Sequence, residues 1–313
     1  MAFHHVSVMP EEVLDGLLTD PDGIYVDCTL GGAGHAGRLA EKLSAKGWLI
    51  GIDQDAEAIK AAQAHLDSLS LRCRVSVVHS NFSKLDEIFA RLAVPKITGI
   101  LFDLGVSSYQ IDTAARGFSY MQDAPLDMRM DAEGRQTAAD VVNTYSAADL
   151  DRIFHDYGEE RWGRRIAEFI VKRRAEKAYE TTGELVDTIE RAIPKAVRRA
   201  QTGHPAKRVF QALRIEVNDE LGILDAAFHR AVDQLTPSGR IAIITFHSLE
   251  DRIAKKALRQ MAAGCICPPE LPVCVCHNEK KLRLLGKVRK AGEAELAANT
   301  RAKSAKLRLA ERL

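Results

Sequence analysis

Apolar positions along the chain switch between two periods. Residues 23–29, 48–53, 74–79, 97–103 and 239–246 form short apolar or alternating runs of strand character. Between them, residues 35–43, 55–66 and 84–92 carry apolar side chains at helical spacing; in the second, Ala58, Ile59, Ala62 and Leu66 share one face. Pro10-Glu11-Glu12 opens a short helix, with proline at a first helical position and acids in the first turn. The run at 97–103 is apolar almost throughout, as expected of a strand covered on both faces. Strands alternating with helices predict an α/β fold with a parallel, doubly wound sheet. In such sheets ligands sit beyond the carboxyl ends of the strands.

The alternation stops after residue 110. Residues 111–204 contain no strand pattern, and 116–131 reads as a loop of mixed polar and aromatic character. Helices are expected over 146–157, 159–174 and 182–199, with Ser146 and Thr182 as caps. This stretch is an inserted all-helical domain, expected at 111–204 within a discontinuous α/β domain of 1–110 and 205–313. His204-Pro205 marks re-entry. A long helical stretch with a break follows over 207–235, and a further helix over 249–261.

Four segments at the predicted strand ends carry candidate chemistry. Thr29-Leu30-Gly31-Gly32-Ala33-Gly34-His35 follows the first strand, and an acid, Asp53, ends the second strand 22 residues after Gly31. Glycines let a ligand approach the backbone, and the acid can accept from both hydroxyls of a ribose. The literal pattern Gly32-x-Gly34-x-x-Gly37 also fits a dinucleotide loop, so a nicotinamide cofactor is a rival. Phe82, just past the third strand, can lie against adenine or simply pack in the core. Asp103-Leu104-Gly105 ends the fourth strand, where an acid suits a ligand with an ammonium and a sulfonium, as in S-adenosylmethionine. A pyrophosphate would prefer basic or backbone contacts there.

The 313 residues imply about two domains, and the hydrophobic fraction of 46% is enough for a large core. No apolar run approaches the ~20 residues that span a bilayer. Residues 1–14 lack a basic region followed by an apolar core, so a cytoplasmic protein is expected. Net charge is only +1, yet residues 158–208 hold thirteen basic and eight acidic side chains, and 279–313 hold eleven and four. Basic segments on an otherwise acidic chain point to a polyanion such as nucleic acid, against the plainer reading of solvated helix faces. Arg164, Arg165, Arg173 and Arg174 are the expected backbone contacts. Cys28 and Cys73 are isolated core residues, whereas Cys265-x-Cys267 and Cys274-x-Cys276, followed by His277, cluster. Two readings stay open for this cluster: a tetrahedral zinc site, or a reduced, redox-variable loop.

Longer words decide between the rivals. The glycine-loop segment above, Phe102-Asp103-Leu104-Gly105-Val106-Ser107-Ser108 and Arg116-Gly117-Phe118-Ser119-Tyr120 resemble the bacterial ribosomal RNA small subunit methyltransferase H family. So do Pro125-Leu126-Asp127-Met128-Arg129-Met130-Asp131, Tyr157-Gly158-Glu159-Glu160-Arg161 and Phe246-His247-Ser248-Leu249-Glu250-Asp251-Arg252. The resemblance runs from His5 to about Arg312. It implies a Rossmann-like methyltransferase sheet with an inserted all-helical domain that recognises substrate. It also implies methyl transfer from S-adenosylmethionine to the N4 amine of one cytosine in small-subunit ribosomal RNA near the decoding centre, in the assembled or nearly assembled subunit.

Carried over by position, the family's cofactor contacts fall on Ala33, Gly34, His35, Asp53, Phe82, Asp103 and Gln110. Many amino-methyltransferases carry an Asp/Asn/Ser-Pro-Pro-aromatic tetrad after the fourth strand; this chain has Asp103-Leu104-Gly105-Val106. Asp103, Ser107 and Ser108 are expected to shape the amine pocket, with His247 as a second candidate for catalysis. The cleft is assigned no metal, and because the family works without the cysteine cluster, any zinc there would be structural. No membrane partner is expected, and a homodimer is left open. The rival readings are an NAD-dependent dehydrogenase and a non-catalytic RNA-binding protein on a methyltransferase scaffold.

Overall fold

Seven segments pair into one sheet: β1 (Ile24–Asp27), β2 (Trp48–Asp53), β3 (Arg74–His79), β4 (Ile97–Asp103), β5 (Leu235–Thr245), β6 (Leu282–Leu284) and β7 (Lys306–Arg312). The computed structural model describes every residue except 1–6, 135, 201–202, 266, 269–270, 274 and 277–278; Cys274 and His277 therefore lie outside the described residues. The strand order is β3-β2-β1-β4-β5-β7-β6. Strands β1 to β5 pair in parallel, while β7 is antiparallel to both β5 and β6. The order reverses between β1 and β4, which is where a parallel sheet opens a crevice at its carboxyl edge.

Both sheet faces are apolar because successive side chains point to opposite sides. Val26, Ile50, Ile52, Ile100, Phe102 and Ile243 enter one core with helices Leu85–Leu92, Leu224–Gln234 and Ser248–Ala262. Tyr25, Leu49, Leu101, Ala242 and Ile244 enter the other with helices Pro10–Leu17, Gly34–Lys42 and Ala56–Ser68. The expected doubly wound α/β fold is thus present, and β2, β3 and β4 have the bounds that their apolar runs predict. Strands β6 and β7 were not anticipated. Leu307 and Leu309 are buried, but Lys306 and Arg308 alternate with them and give the segment the look of a solvated basic face.

A second compact unit, Val106–Glu220, is helical. The sequence placed this insertion at 111–204; the difference at the far end is helix Lys207–Asn218, whose Val209, Phe210 and Leu213 are buried in the helical unit's own core. The helix expected over 182–199 is two, Thr182–Ala192 and Lys195–Ala200, because Pro194 cannot donate the hydrogen bond that would continue the first. Thr181, not Thr182, caps the first: its hydroxyl accepts from the Glu184 amide at 3.4 Å. Ser146 caps as expected, accepting from the Asp149 amide at 3.1 Å. No helix among the described residues is long and apolar enough to cross a membrane.

Candidate active site

Three neighbouring strands end in aspartate: β1 in Asp27, β2 in Asp53 and β4 in Asp103. The glycine loop is tied to all three strand ends, by the carboxylates of Asp27 and Asp53 and by the Asp103 amide. Gly31 donates to Asp53 Oδ2 at 2.8 Å, and the Asp55 amide donates to Asp53 Oδ1 at 2.9 Å. Thr29 donates its amide to Asp27 Oδ1 at 3.1 Å, while its hydroxyl oxygen accepts from the Asp103 amide at 2.7 Å. Gly31 has a φ of 50° and Ala33 one of 62°, both left-handed, so the backbone turns sharply before helix Gly34–Lys42. Glycine meets this requirement at 31 without strain; Ala33 accepts the conformation at a cost of about 1 kcal/mol. Gly51 on β2 makes room for the loop, since a Cβ there would lie 2.5 Å from the Leu30 side chain. Helix Gly34–Lys42 follows directly and begins without a side-chain cap among the described residues.

Buried acids crowd this end of the sheet. Asp27 is 1% exposed, and burial together with the nearby Asp53 pushes its carboxyl up to about 7. Burial raises Asp53 to about 6. Asp103 stands well above the usual carboxylate range, because of burial first and then the charges of Asp27 and Glu250. The buried His35 places Nε2 3.6 Å from Asp103 Oδ2. Asp103 Oδ1 is buried and has no hydrogen-bond partner among the described residues. A buried carboxylate oxygen without a donor costs free energy, so such an atom marks where a ligand group is expected.

Glu250, 1% exposed, organises the loop after β5. Its Oε2 accepts from the Phe246 amide at 2.7 Å and the His247 amide at 3.2 Å. His247 caps helix Ser248–Ala262: its Nδ1 lies 3.5 Å from the Glu250 amide and its Nε2 2.9 Å from Glu250 Oε1. The Glu250 amide thus holds the ring at Nδ1, while the buried Nε2 makes no hydrogen bond among the described residues. Beside this loop a cavity of about 280 Å³ is lined by Phe246, His247, Ser248, Lys290, Lys303 and Lys306, among others. Lys306 is bonded to Asp251 at 2.8 Å. Lys290 and Lys303 are exposed and carry no ion pair among the described residues.

Phe82 is half-buried. It packs edge-on against Phe102 with centroids 5.5 Å apart, and Phe102 does the same with Phe228 at 5.2 Å. One edge of Phe82 therefore belongs to the core and the remainder is open. Gln54, which follows Asp53, accepts from Asn81 Nδ2 at 2.7 Å and ties the ends of β2 and β3 together.

The predicted Ala33, Gly34, His35, Asp53, Phe82, Asp103 and His247 all belong to the sheet unit, where His35 lies against Asp103. Ser107, Ser108 and Gln110 belong to the helical unit. There Ser107 and Gln110 bond reciprocally as a capping box at 3.0 and 3.2 Å, and Gln110 is buried. Arg173 and Arg174 are also committed locally: Arg173 lies 3.2 Å from Glu184 and over the Tyr179 ring, and Arg174 donates to the Val142 carbonyl at 2.7 Å. Arg164 is 84% exposed, with a weak partner in Glu168 at 3.3 Å. Two site residues went unnoticed in the sequence. Asp27 had a signal, since it ends an apolar run just as Asp53 and Asp103 do. Glu250 had one in the cap spacing His247-x-x-Glu250.

An acidic floor under a glycine loop suits a cationic donor and disfavours a pyrophosphate. Comparison with known proteins agrees. The model of the MraW methylase family matches residues 2–313. Ribosomal RNA small subunit methyltransferase H of Clostridioides difficile (strain 630) is 53% identical over 316 residues, a match covering 100% of both chains. The proteins of that name from Clostridium botulinum (strain Loch Maree / Type A3) and Heliobacterium modesticaldum (strain ATCC 51547 / Ice1) are each 51% identical, again over 100% of both chains. With its acidic cleft and a family match along nearly its whole length, the chain belongs to the MraW methylase family.

Proposed function

We propose that this chain transfers a methyl group from S-adenosylmethionine to the N4 amine of a cytosine in small-subunit ribosomal RNA, acting in the cytoplasm on the assembled or nearly assembled subunit. The observation that carries the reading is the buried Asp103 Oδ1, without a partner among the described residues, in a group of three strand-end carboxylates. When bound, the cofactor supplies an electrophilic methyl group on a cationic sulfur. Asp53 would accept from the ribose hydroxyls, and Phe82 would offer its open part to adenine. The amino end of helix Gly34–Lys42, which has no side-chain cap, would receive the methionine carboxylate. Asp27 and Asp103 balance the positive charge.

Cytosine N4 is a poor nucleophile because its lone pair is delocalised into the ring. The cleft must therefore align the amine, which is worth roughly 7–11 kcal/mol in a well-oriented site, and accept one of its hydrogens. Asp103 is the group placed to accept. A cation in the cleft favours its ionised form, so the acceptor is switched on by donor binding. Ser107, bonded to Gln110, and His247, bonded to Glu250, are not needed as bases in this reading. A stacked or paired cytosine must first turn out of its helix. The lysine-lined cavity beside Phe246 and His247 takes a backbone phosphate of the same RNA.

Thermal shift gives the first test. S-adenosylhomocysteine should raise the melting temperature in proportion to the logarithm of its concentration, and NAD should not. A shift with NAD alone would return the glycine loop to the dehydrogenase reading.

A further inference from the structure

The loop between helix Ser248–Ala262 and β6 is long for a connection inside a compact domain, and among its described residues it forms no regular secondary structure. Apolar burial does not hold it in place. Leu271 is 45% exposed, Val273 69% and Val275 64%. Yet three of its side chains converge: the Sγ atoms of Cys265, Cys267 and Cys276 all lie within 4.8 Å of one another.

We propose that these three cysteines bind a soft divalent cation, zinc by preference, in a structural site that fastens this loop. Zinc–sulfur bonds of about 2.3 Å in a tetrahedron place neighbouring sulfurs about 3.8 Å apart. Cys265 Sγ and Cys276 Sγ are 3.8 Å apart. A disulfide needs a separation near 2.05 Å, far shorter than this one. The Val275 amide lies 3.3 Å from Cys267 Sγ and donates to it. An N–H···S bond of this kind favours the thiolate, which is the form that binds metal. The donor set fixes the class of ion: three thiolates select zinc over magnesium or calcium, which prefer oxygen. A fourth donor completes the tetrahedron.

The loop follows the carboxyl end of helix Ser248–Ala262, whose amino end carries His247. The role of the site is to give a poorly buried loop the cross-link that packing does not supply. The test uses the untagged full-length protein, purified under reducing conditions without chelator. Elemental analysis should find close to one zinc per chain. Cys265→Ser with Cys276→Ser should lose it, and Cys73→Ser should keep it. Cobalt added to the metal-free protein should give thiolate-to-cobalt charge-transfer absorption, and removing the metal should open residues 263–281 to limited proteolysis. Less than ~0.2 zinc per chain, with no cobalt absorption on reconstitution, would overturn the proposal. So would a Cys265–Cys276 disulfide found by mass spectrometry in the native protein.

Discussion

In the proposed reaction Asp103 is the residue on which the chemistry turns. Its carboxyl is buried beside two other acids, and one of its oxygens has no donor among the described residues. Asp103→Ala should keep the fold, as read by circular dichroism, and lower single-turnover methyl transfer by at least ~100-fold, or about 2.7 kcal/mol of barrier. Wild-type turnover would remove it from the mechanism. The neighbouring acids predict a pH signature. Asp27 sits near 7 and Asp53 near 6 in the free protein. Because these values are raised, their contribution to stability is full below about pH 4 and is lost as pH rises through 6 to 7. Affinity for the cationic cofactor should move the other way. Between pH 5.5 and 8, S-adenosylmethionine should bind about ten-fold tighter by calorimetry, and neutral-sulfur S-adenosylhomocysteine should change much less. Parallel pH profiles for the two would contradict the acidic-floor account.

At the scale of elements, the lysine-lined cavity predicts a binding effect. Lys290→Glu with Lys303→Glu should weaken subunit binding about ten-fold or more and flatten its salt dependence by about one unit per lysine. Unchanged affinity in a filter-binding assay would exclude the cavity as a phosphate site. Gly117 predicts a stability effect in the helical unit. Its φ is 72°, and a Cβ would meet the Pro125 carbonyl oxygen and lie 2.7 Å from the Asp127 amide nitrogen, both backbone atoms. Gly117→Ala should therefore cost at least ~2 kcal/mol in denaturant melts. Strands β2, β3 and β4 were legible because uninterrupted or alternating apolar runs leave few other readings. The same alternation exists in β7, but Lys306 and Arg308 hid it: only the fold reveals that both reach Asp251, at 2.8 Å each. The convergence of Asp27, Asp53 and Asp103 was half legible. Each ends a strand, but their mutual burial depends on strand order, which one sequence does not encode locally.

Over the whole molecule, a near-neutral net charge of +1 conceals two basic segments, 158–208 and 279–313, on a chain that is acidic elsewhere. That asymmetry suits an enzyme that must hold a cation in one place and a polyanion in another. The helical unit was foreseen as an insertion, but its extent was not. Helix Lys207–Asn218 looks in sequence like the return to the sheet, and its apolar face is spent on the insertion's core. The most direct measurement is methyl mapping. Small subunits from cells lacking this enzyme are incubated with the purified protein and isotopically labelled S-adenosylmethionine, and the ribosomal RNA is digested for mass spectrometry. Label should appear in N4-methylcytosine at a single site and disappear with Asp103→Ala. No label in the RNA, or label on another base or another atom of cytosine, would contradict the account.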